Sequence, residues 1–366
     1  MRVLHVAQPT VAGVYGYVLA AACHQRELGW EVHVACPGDG LLSGALTAAG
    51  IEHVRWAATR EPGPALAEET RALARVAAHL SPDVVHLHSS KAGLAGRLSL
   101  RGRVPTLFQP HGWSWLAARG PQRRAALAWE RWAVRWCTRV VACGTGEADQ
   151  GRQAGIRGPL TVIRNGVDLT RFTDHGPSGR TAARRALGIP QDVPVVVCAG
   201  RLTRQKGQDV LIAAWDVVHR NHPTALLVLV GGGNDTATGT APAGVWRIGP
   251  ATDIERYYTA ADVVALPSRW EGLSLTAMEA LATGRSVVAS DVPGLSELII
   301  PEVGELVPPD CPERLARALQ ARLARPELAI REGAAAARLA RAFDASRTWE
   351  NLAALTVAVA EGRTGN

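Results

Sequence analysis

ADVVALPSRWEGLSLTAMEALATGRSVVAS (261–290) holds a strand, a helix and a second strand. The apolar run Val263–Leu266 ends in a turn at Pro267. Ser274 is placed to cap a helix of good formers from Leu275 to Ala282. Gly284 stands where a helix C-cap belongs, and Ser286–Ser290 begins the next strand. A helix that opens directly after a strand end offers backbone amides and a positive dipole end, a site for a phosphate. Glu271 and Glu279 bracket that amide cluster. Carboxylates would repel the phosphate itself, and suit neutral hydroxyls on either side of it. A ligand with phosphate in the middle and hydroxyls at both ends is a sugar nucleotide. The plainer alternative is two solvated glutamates flanking a helix start.

A second strand-to-helix loop lies upstream. VPVVVCAG (193–200) reads as a buried parallel strand, a short apolar run without alternation. It runs into Gly200-Arg201-Leu202-Thr203-Arg204-Gln205-Lys206-Gly207 and a helix from about Gln208 to Arg220. Arg201, Arg204 and Lys206 therefore crowd one helix N-terminus, where cations are misplaced unless they share an anion. Of the 40 basic residues, 38 are arginine and only Lys91 and Lys206 are lysine. A lysine is a compact point charge on a flexible stem, suited to a phosphate oxygen.

G-R-x4-K-G (200–207), followed about 65 residues later by E-x7-E (271–279), resembles the C-terminal domain of the retaining GT-B glycosyltransferases, specifically family 4. VIRNGVDLTRF (162–172) resembles that family's interdomain segment, and LVLVGGG (227–233) its second donor-domain strand and turn. PEVGELVPPDCPERLARAL (301–319) resembles the loop and helix that end the domain. VPTLFQPHGWS (104–114) resembles the histidine-glycine segment of the acceptor domain. The similarity spans nearly the whole chain.

At 366 residues the chain has room for two domains. Strand-like runs alternate with helical stretches: Val3–Ala7, Glu31–Ala35, Val84–His88, Thr106–Phe108, Val140–Ala142, Thr161–Ile163, Val193–Ala199, Leu226–Val230, Val263–Leu266 and Ser286–Ser290. Such alternation predicts an α/β fold with helices on both faces of parallel sheets. The resemblance implies two Rossmann-like, doubly wound domains with a cleft between them. The expected divisions are an acceptor-binding domain at 1–167, a linker at 168–192 rich in charge, Gly, Pro and Ser, and a nucleotide-sugar domain at 193–343. A last helix, capped at Asp344-Ala345-Ser346, occupies 344–366; the family places it back on the first domain. The loop Gln8–Gly16 carries Gly13 and Gly16 without forming a GxGxxG fingerprint. No acidic residue ends the second strand, which weakens a nicotinamide enzyme.

Met1–Ala7 reads as a first strand rather than a charged leader, and no run is long enough to span a bilayer. The six cysteines show no C-x2-C pair and suit a reducing cytosol. The expected location is cytoplasmic, with the inner face of the cell membrane as the site of any peripheral contact. Residues 1–171 hold 20 basic and 12 acidic side chains, and the remainder 20 and 21. The first domain is thus the basic one, which favours an anionic acceptor or a membrane surface. Trp113–Arg139 carries five tryptophans and six arginines. Trp129, Trp132 and Trp136 follow helical spacing and read as a core stripe. Trp113, Trp115 and the loop Ala117–Arg124 are left for interfacial or acceptor contact. This aromatic and basic mixture is confined to one region, so nucleic acid is not an expected partner.

No D-x-D occurs, so the leaving nucleoside diphosphate is expected to be neutralised without metal, by Arg201, Lys206 and the amides of Gly272, Leu273, Ser274 and Leu275. The nucleotide sugar is then a co-substrate, and no cofactor is expected. The resemblance implies that Glu271 holds hydroxyls of the transferred sugar, that Glu279 holds the ribose hydroxyls, and that His111 approaches the sugar. It also places Gly13 and Ile248 on the donor side, Ile248 near the base. Asn234 and Asp235 depart from the usual glycine-acid-glycine turn, which leaves the base open, UDP being the commonest. HSSKAGLAGR (88–97) resembles members that build lipid-linked polysaccharides. There Ser90, Lys91 and Arg97 would meet an anionic, lipid-linked acceptor; the alternative is ordinary charge at a helix start. A small natural-product acceptor also fits, as does an epimerase or hydrolase on this scaffold. Retention of configuration follows from the resemblance.

Overall fold

The computed structural model describes residues 1–233 and 242–362. The chain forms two compact units: residues 1–164 with the chain from 347 onward, and residues 165–346. In the first unit the strands are β1 (Arg2–Ala7), β2 (Glu31–Cys36), β3 (Glu52–Arg55), β4 (Val84–His88), β5 (Thr106–Gln109), β6 (Arg139–Ala142) and β7 (Leu160–Val162). They form one sheet of order β3-β2-β1-β4-β5-β6-β7, all parallel. In the second unit β8 (Val195–Ala199), β9 (Leu226–Val230), β10 (Val245–Ile248), β11 (Val263–Leu266), β12 (Ser286–Ser290) and β13 (Gly304–Val307) take the order β10-β9-β8-β11-β12-β13, again parallel. Each chain winds outward on one side of its first strand, then returns to the other. The order reverses between β1 and β4 and between β8 and β11. In open α/β sheets this reversal leaves a crevice beyond the carboxyl ends of the strands, where ligands bind.

The expected α/β fold with two doubly wound sheets is therefore present. All ten expected strands form; the central ones are largely apolar and buried on both faces, while β7 is a half-buried edge strand. Across the second sheet, Leu211, Ala214 and Trp215 of the helix Gln208–Asn221 pack with Val196, Leu227, Val263 and Val288. Leu315 and Leu319 of the helix Pro312–Leu323 join them. Burial of each large side chain contributes about 1.5–3 kcal/mol.

Two local expectations change. Residues 168–192, read as a linker, lie within the second unit. The helix there, Gly176–Leu187, sends the fully buried Arg184 to the Ala260 carbonyl (2.9 Å) and the Asp262 carboxylate (2.9 Å). Composition suggested a linker because the side chain that anchors this helix is itself charged. The first helix starts earlier than expected, at Ala12, so Gly13 and Gly16 lie inside it rather than in a loop. The last helix, Ala345–Ala360, opens with Asp344 accepting from the Ser346 amide (2.9 Å). Its Leu352 and Val359 join Tyr17, Val84, Leu107 and Val141 in the core of the first unit. Among the described residues no helix is long and apolar enough to cross a membrane, and the six cysteines are free thiols.

Candidate functional site

In the second unit the loops after β8 and β11 meet at the reversal of strand order. Lys206 Nζ lies 2.7 Å from Glu271 Oε1, and the Ser268 hydroxyl donates to the same oxygen at 2.7 Å. Glu271 is buried and Lys206 is partly exposed. The loops are stitched together further out. The Arg269 amide donates to the Gln205 carbonyl (2.8 Å), and Gln205 Nε2 to the Trp270 carbonyl (3.0 Å). Arg269 also bridges Asp209 and Asp310, 2.6 Å from each. Gly207 makes the close approach possible. Its φ is +66°, and a Cβ there would sit 2.0 Å from the Pro267 carbonyl oxygen. Arg201 stands at the mouth of the same loop, partly exposed, its carbonyl accepting from Gln208 Nε2 (3.0 Å).

The helix Leu275–Ala282 starts where expected, with the Ser274 hydroxyl accepting from the Ala277 amide (3.3 Å). The Ser274 amide donates to the Gly294 carbonyl (3.2 Å), so Ser274 is a buried cap rather than a ligand-facing group. That leaves Gly272, Leu273 and Leu275 of the expected amide cluster. Glu279 is one turn in. Its Oε2 accepts from the Tyr258 hydroxyl (2.9 Å), and burial pushes its carboxyl above the ordinary value. Ile248 ends β10, at the outer edge of the sheet. Asn234 and Asp235 lie outside the described residues.

Sequence reasoning did not find Ser268, Tyr258 or Gly294. The spacing Ser268-x-x-Glu271 was a signal for the first. For Gly294 there was none: a Cβ there would meet the Gly272 carbonyl oxygen at 2.4 Å, a contact between residues remote in sequence.

In the first unit the reversal of strand order is lined by histidines. His5 of β1 is in register with His86 of β4, and His88 follows two residues on, so all three share one face. They are buried to within 1%. His5 Nε2 is 2.8 Å from Gln25 Oε1, His5 Nδ1 is 2.9 Å from His88 Nε2, and His88 Nδ1 is 3.1 Å from His111 Nε2. His111 follows β5, is partly exposed, and has a φ of +52°, a left-handed conformation that is rare outside glycine. The next residue holds it there: the Gly112 amide donates to the buried Glu147 carboxylate (2.5 Å), whose other oxygen takes the Cys143 amide (2.8 Å). The Tyr17 ring meets His111 edge-on, 4.9 Å between centroids. Burial drops the pKa of His5 to about 4 and of His111 to about 3, and lowers His86 and His88 well below the usual range. All four rings are thus neutral at pH 7. His5, His86 and His88 also lie close enough together to hold a metal ion.

The expected acceptor residues are placed differently. Lys91 is buried, with Nζ 2.6 Å from Glu69 and 3.1 Å from the Glu61 carbonyl. Arg97 is buried on Glu130 at 2.7 Å, its guanidinium 3.9 Å from the Phe108 ring centre. Both charges are matched inside the unit and do not reach an acceptor. Ser90 lies half-buried in the first turn of the helix Ser89–Leu100. Trp113 and Trp115 are stacked in the core, 4.6 Å between centroids, with Trp113 Nε1 donating to the Glu147 carbonyl. Trp132, read as core, is 46% exposed and lies under Arg135 (4.3 Å). Trp113 and Trp115 are thus core residues, whereas of the expected stripe Trp129 and Trp136 are partly buried and Trp132 is exposed. The helix Gly120–Ala133 packs through Glu130 and Ala133 and leaves Trp132 outward.

Residues 11–171 match the family model for Glycosyltransferase Family 4, and residues 193–325 that for Glycosyl transferases group 1. The alpha-maltose-1-phosphate synthase of Mycolicibacterium smegmatis is 31% identical, over 92% of this chain and 93% of that protein. The D-inositol 3-phosphate glycosyltransferase of Jonesia denitrificans is 33% identical, over 76% of this chain and 71% of the other. The structure of Anabaena HepE in complex with UDP and glucose superposes with a TM-score of 0.84 at 24% identity, covering 98% of this chain and all of that one (100%). Sucrose-phosphate synthase from Thermosynechococcus elongatus gives a TM-score of 0.82 at 24% identity, covering 97% and 98%. Two doubly wound parallel sheets, a basic strand-end loop beside paired glutamates, and these matches make the chain a member of glycosyltransferase family 4, with the GT-B fold.

Proposed function

We propose that this glycosyltransferase takes its sugar from a nucleoside-diphosphate sugar, UDP-linked in the first instance, and transfers it with retention and without metal. The observation that carries this reading is the Lys206–Glu271 pair at the reversal of strand order, with Glu271 fixed by Ser268. Lys206 and Arg201 supply charge for the diphosphate, together with the amides of Gly272, Leu273 and Leu275 at the helix start. Glu271 is already a hydrogen-bond acceptor and is suited to sugar hydroxyls once Lys206 turns to phosphate. Glu279, oriented by Tyr258, is assigned to the ribose. The relative solved with UDP and glucose supports the choice of donor.

His111, neutral at pH 7, is assigned to the transferred sugar. The buried carboxylates of the first unit are all engaged: Glu69 by Lys91, Glu130 by Arg97, Glu147 by two backbone amides. None of the three is a ready nucleophile. This supports front-face attack assisted by the leaving phosphate, which retains configuration. The relatives' names point to phosphorylated polyols and sugars as acceptors or products. A lipid-linked acceptor is the second reading, favoured by the exposed Trp132 with Arg135 beside it. In the donor reading Gly13, in the first turn of its helix, lets a ligand approach the backbone closely.

The test is transfer from UDP-, GDP- and ADP-glucose in excess EDTA, to inositol 3-phosphate, glucose 1-phosphate and a polyprenyl-diphosphate sugar, with products read by mass spectrometry and anomeric NMR. A retained glycoside from one donor supports the reading. Strong inhibition by EDTA reversed by Mg²⁺ would overturn the metal-free mechanism. Donor consumption at the same rate with and without every acceptor would instead identify a hydrolase or epimerase.

A further inference from the structure

The histidine row in the first unit has a property that none of its members has alone. A neutral imidazole carries one N–H, so of its two nitrogens one donates and the other accepts. Each link in this row joins Nδ1 of one ring to Nε2 of the next: His5 Nδ1 to His88 Nε2 (2.9 Å), and His88 Nδ1 to His111 Nε2 (3.1 Å). Three neutral rings joined this way must share one tautomer. Fixing the proton on any ring fixes it on all three. The closed end is Gln25, 1% exposed, whose Oε1 faces His5 Nε2 at 2.8 Å. With Gln25 Oε1 turned to His5, as in this structure, the amide accepts and His5 carries its proton on Nε2. His88 and His111 follow, and the Nε2–H form is also the more stable one for a free imidazole. The opposite amide orientation would put the proton on Nδ1 of all three rings.

We infer that Gln25, His5 and His88 are positioning residues that act through one another to hold His111 as the Nε2–H tautomer, leaving its Nδ1 as a hydrogen-bond acceptor. The acceptor nitrogen lies at the open end of the row, since His111 is partly exposed while His5 and His88 are sealed in the sheet and Gln25 is buried in the first helix. A sugar hydroxyl can donate to it; a phosphate oxygen, itself an acceptor, cannot. The row thus selects a hydroxyl over a phosphate at this position. This consequence rests on the assignment of His111 to the transferred sugar; the tautomer itself does not. The remaining titratable groups around the row are Tyr17, His86 and, behind Gly112, Glu147.

A metal held by His5, His86 and His88 is the competing use of the same residues. The distances favour the hydrogen bond. Two nitrogens held tetrahedrally at about 2.0–2.1 Å from zinc are roughly 3.3 Å apart, whereas His5 and His88 stand 2.9 Å apart. The trio contains no thiolate or carboxylate to offset a buried dication.

The experiment is nitrogen-15 NMR of the full chain labelled in histidine, with no donor present, between pH 6 and 8. The two ring nitrogens of each tautomer give distinct shifts. The expected result is His5, His88 and His111 all neutral and all Nε2–H. Gln25→Leu removes the terminal acceptor, and a second tautomer signal should emerge at His111, which Gln25 does not touch. The wild-type spectrum by itself tests whether the three rings share one tautomer, so the inference can be refuted even if the leucine variant does not fold. A His111 tautomer different from that of His5 and His88, a cationic ring at pH 7, an unchanged His111 signal in Gln25→Leu, or about one zinc per purified chain would overturn the inference. Because no donor is present, its failure is distinct from failure of the donor assignment.

Discussion

Each of the two sheets reverses its strand order beside its first strand, and the two reversals carry opposite chemistry. Between β8 and β11 stand Lys206, Glu271 and the partly exposed Arg201, charges set at a strand-end opening. Between β1 and β4 stand neutral histidines in a sealed row, while the nearby cations Lys91 and Arg97 are spent on Glu69 and Glu130. The same topology therefore supplies a charged site in one unit and a tautomer-defined, uncharged one in the other. Proximity of a cation to a strand end does not decide its role; the carboxylate it meets, and how much water reaches both, does.

The sharpest way to break this comparison is to remove a charge from each unit. Arg97→Ala leaves Glu130 buried without its cation, with only the Ser114 hydroxyl still donating to it (3.3 Å), and should destabilise the first unit by about 3–5 kcal/mol in denaturant unfolding. Nucleotide affinity should stay unchanged where the protein is folded. Arg97→Ala with unaltered stability would mean the pair is not structural.

Lys206→Ala should show the reverse pattern. A charge-assisted contact contributes about 1.5–3 kcal/mol, so nucleotide affinity should fall roughly 10- to 100-fold. Stability should change by only about 1 kcal/mol, because Lys206 is partly open to solvent.

A smaller effect sharpens the account of the helix start. Ser274→Ala removes the cap bond to Ala277 and should lower stability by about 1 kcal/mol, a fall in Tm of about 2–4 °C for a unit of this size.

The smallest separates the units by pH. His5 has its pKa lowered to about 4 from 6.5, so the folded state disfavours its proton. Its contribution is full above about 6.5 and lost as pH falls towards about 4. Glu279 goes the other way. Burial raises its pKa above 4.5, so its charged form costs stability as pH rises through that raised value. In Tm against pH, His5→Gln should flatten the acid limb, and Glu279→Gln should hold or raise Tm at pH 7.

Much of the fold was legible because central parallel strands are written as short, largely apolar runs without alternation. The unanticipated strands β3 (EHVR), β10 (VWRI) and β13 (GELV) all lie at sheet edges. An edge strand meets solvent on one side, so its sequence mixes polar and apolar residues and loses the signal. The second unit's site was legible because its charged groups come from loops directly after strands. Lys91 and Arg97 were misjudged because their partners, Glu69 and Glu130, come from other helices that sequence spacing does not connect. The histidine row was invisible for the same reason. Only the parallel register of β1 with β4 brings His5 beside His86 and His88.

The central claim is that the reversal between β8 and β11 binds a nucleoside-diphosphate sugar without metal. Calorimetric titration of UDP-glucose into the wild-type chain and Lys206→Ala, both in EDTA, tests it most directly. Saturable binding to the wild type is expected, weakened roughly 10- to 100-fold in the variant. Equal affinity for both proteins, or binding that requires added Mg²⁺, would contradict it.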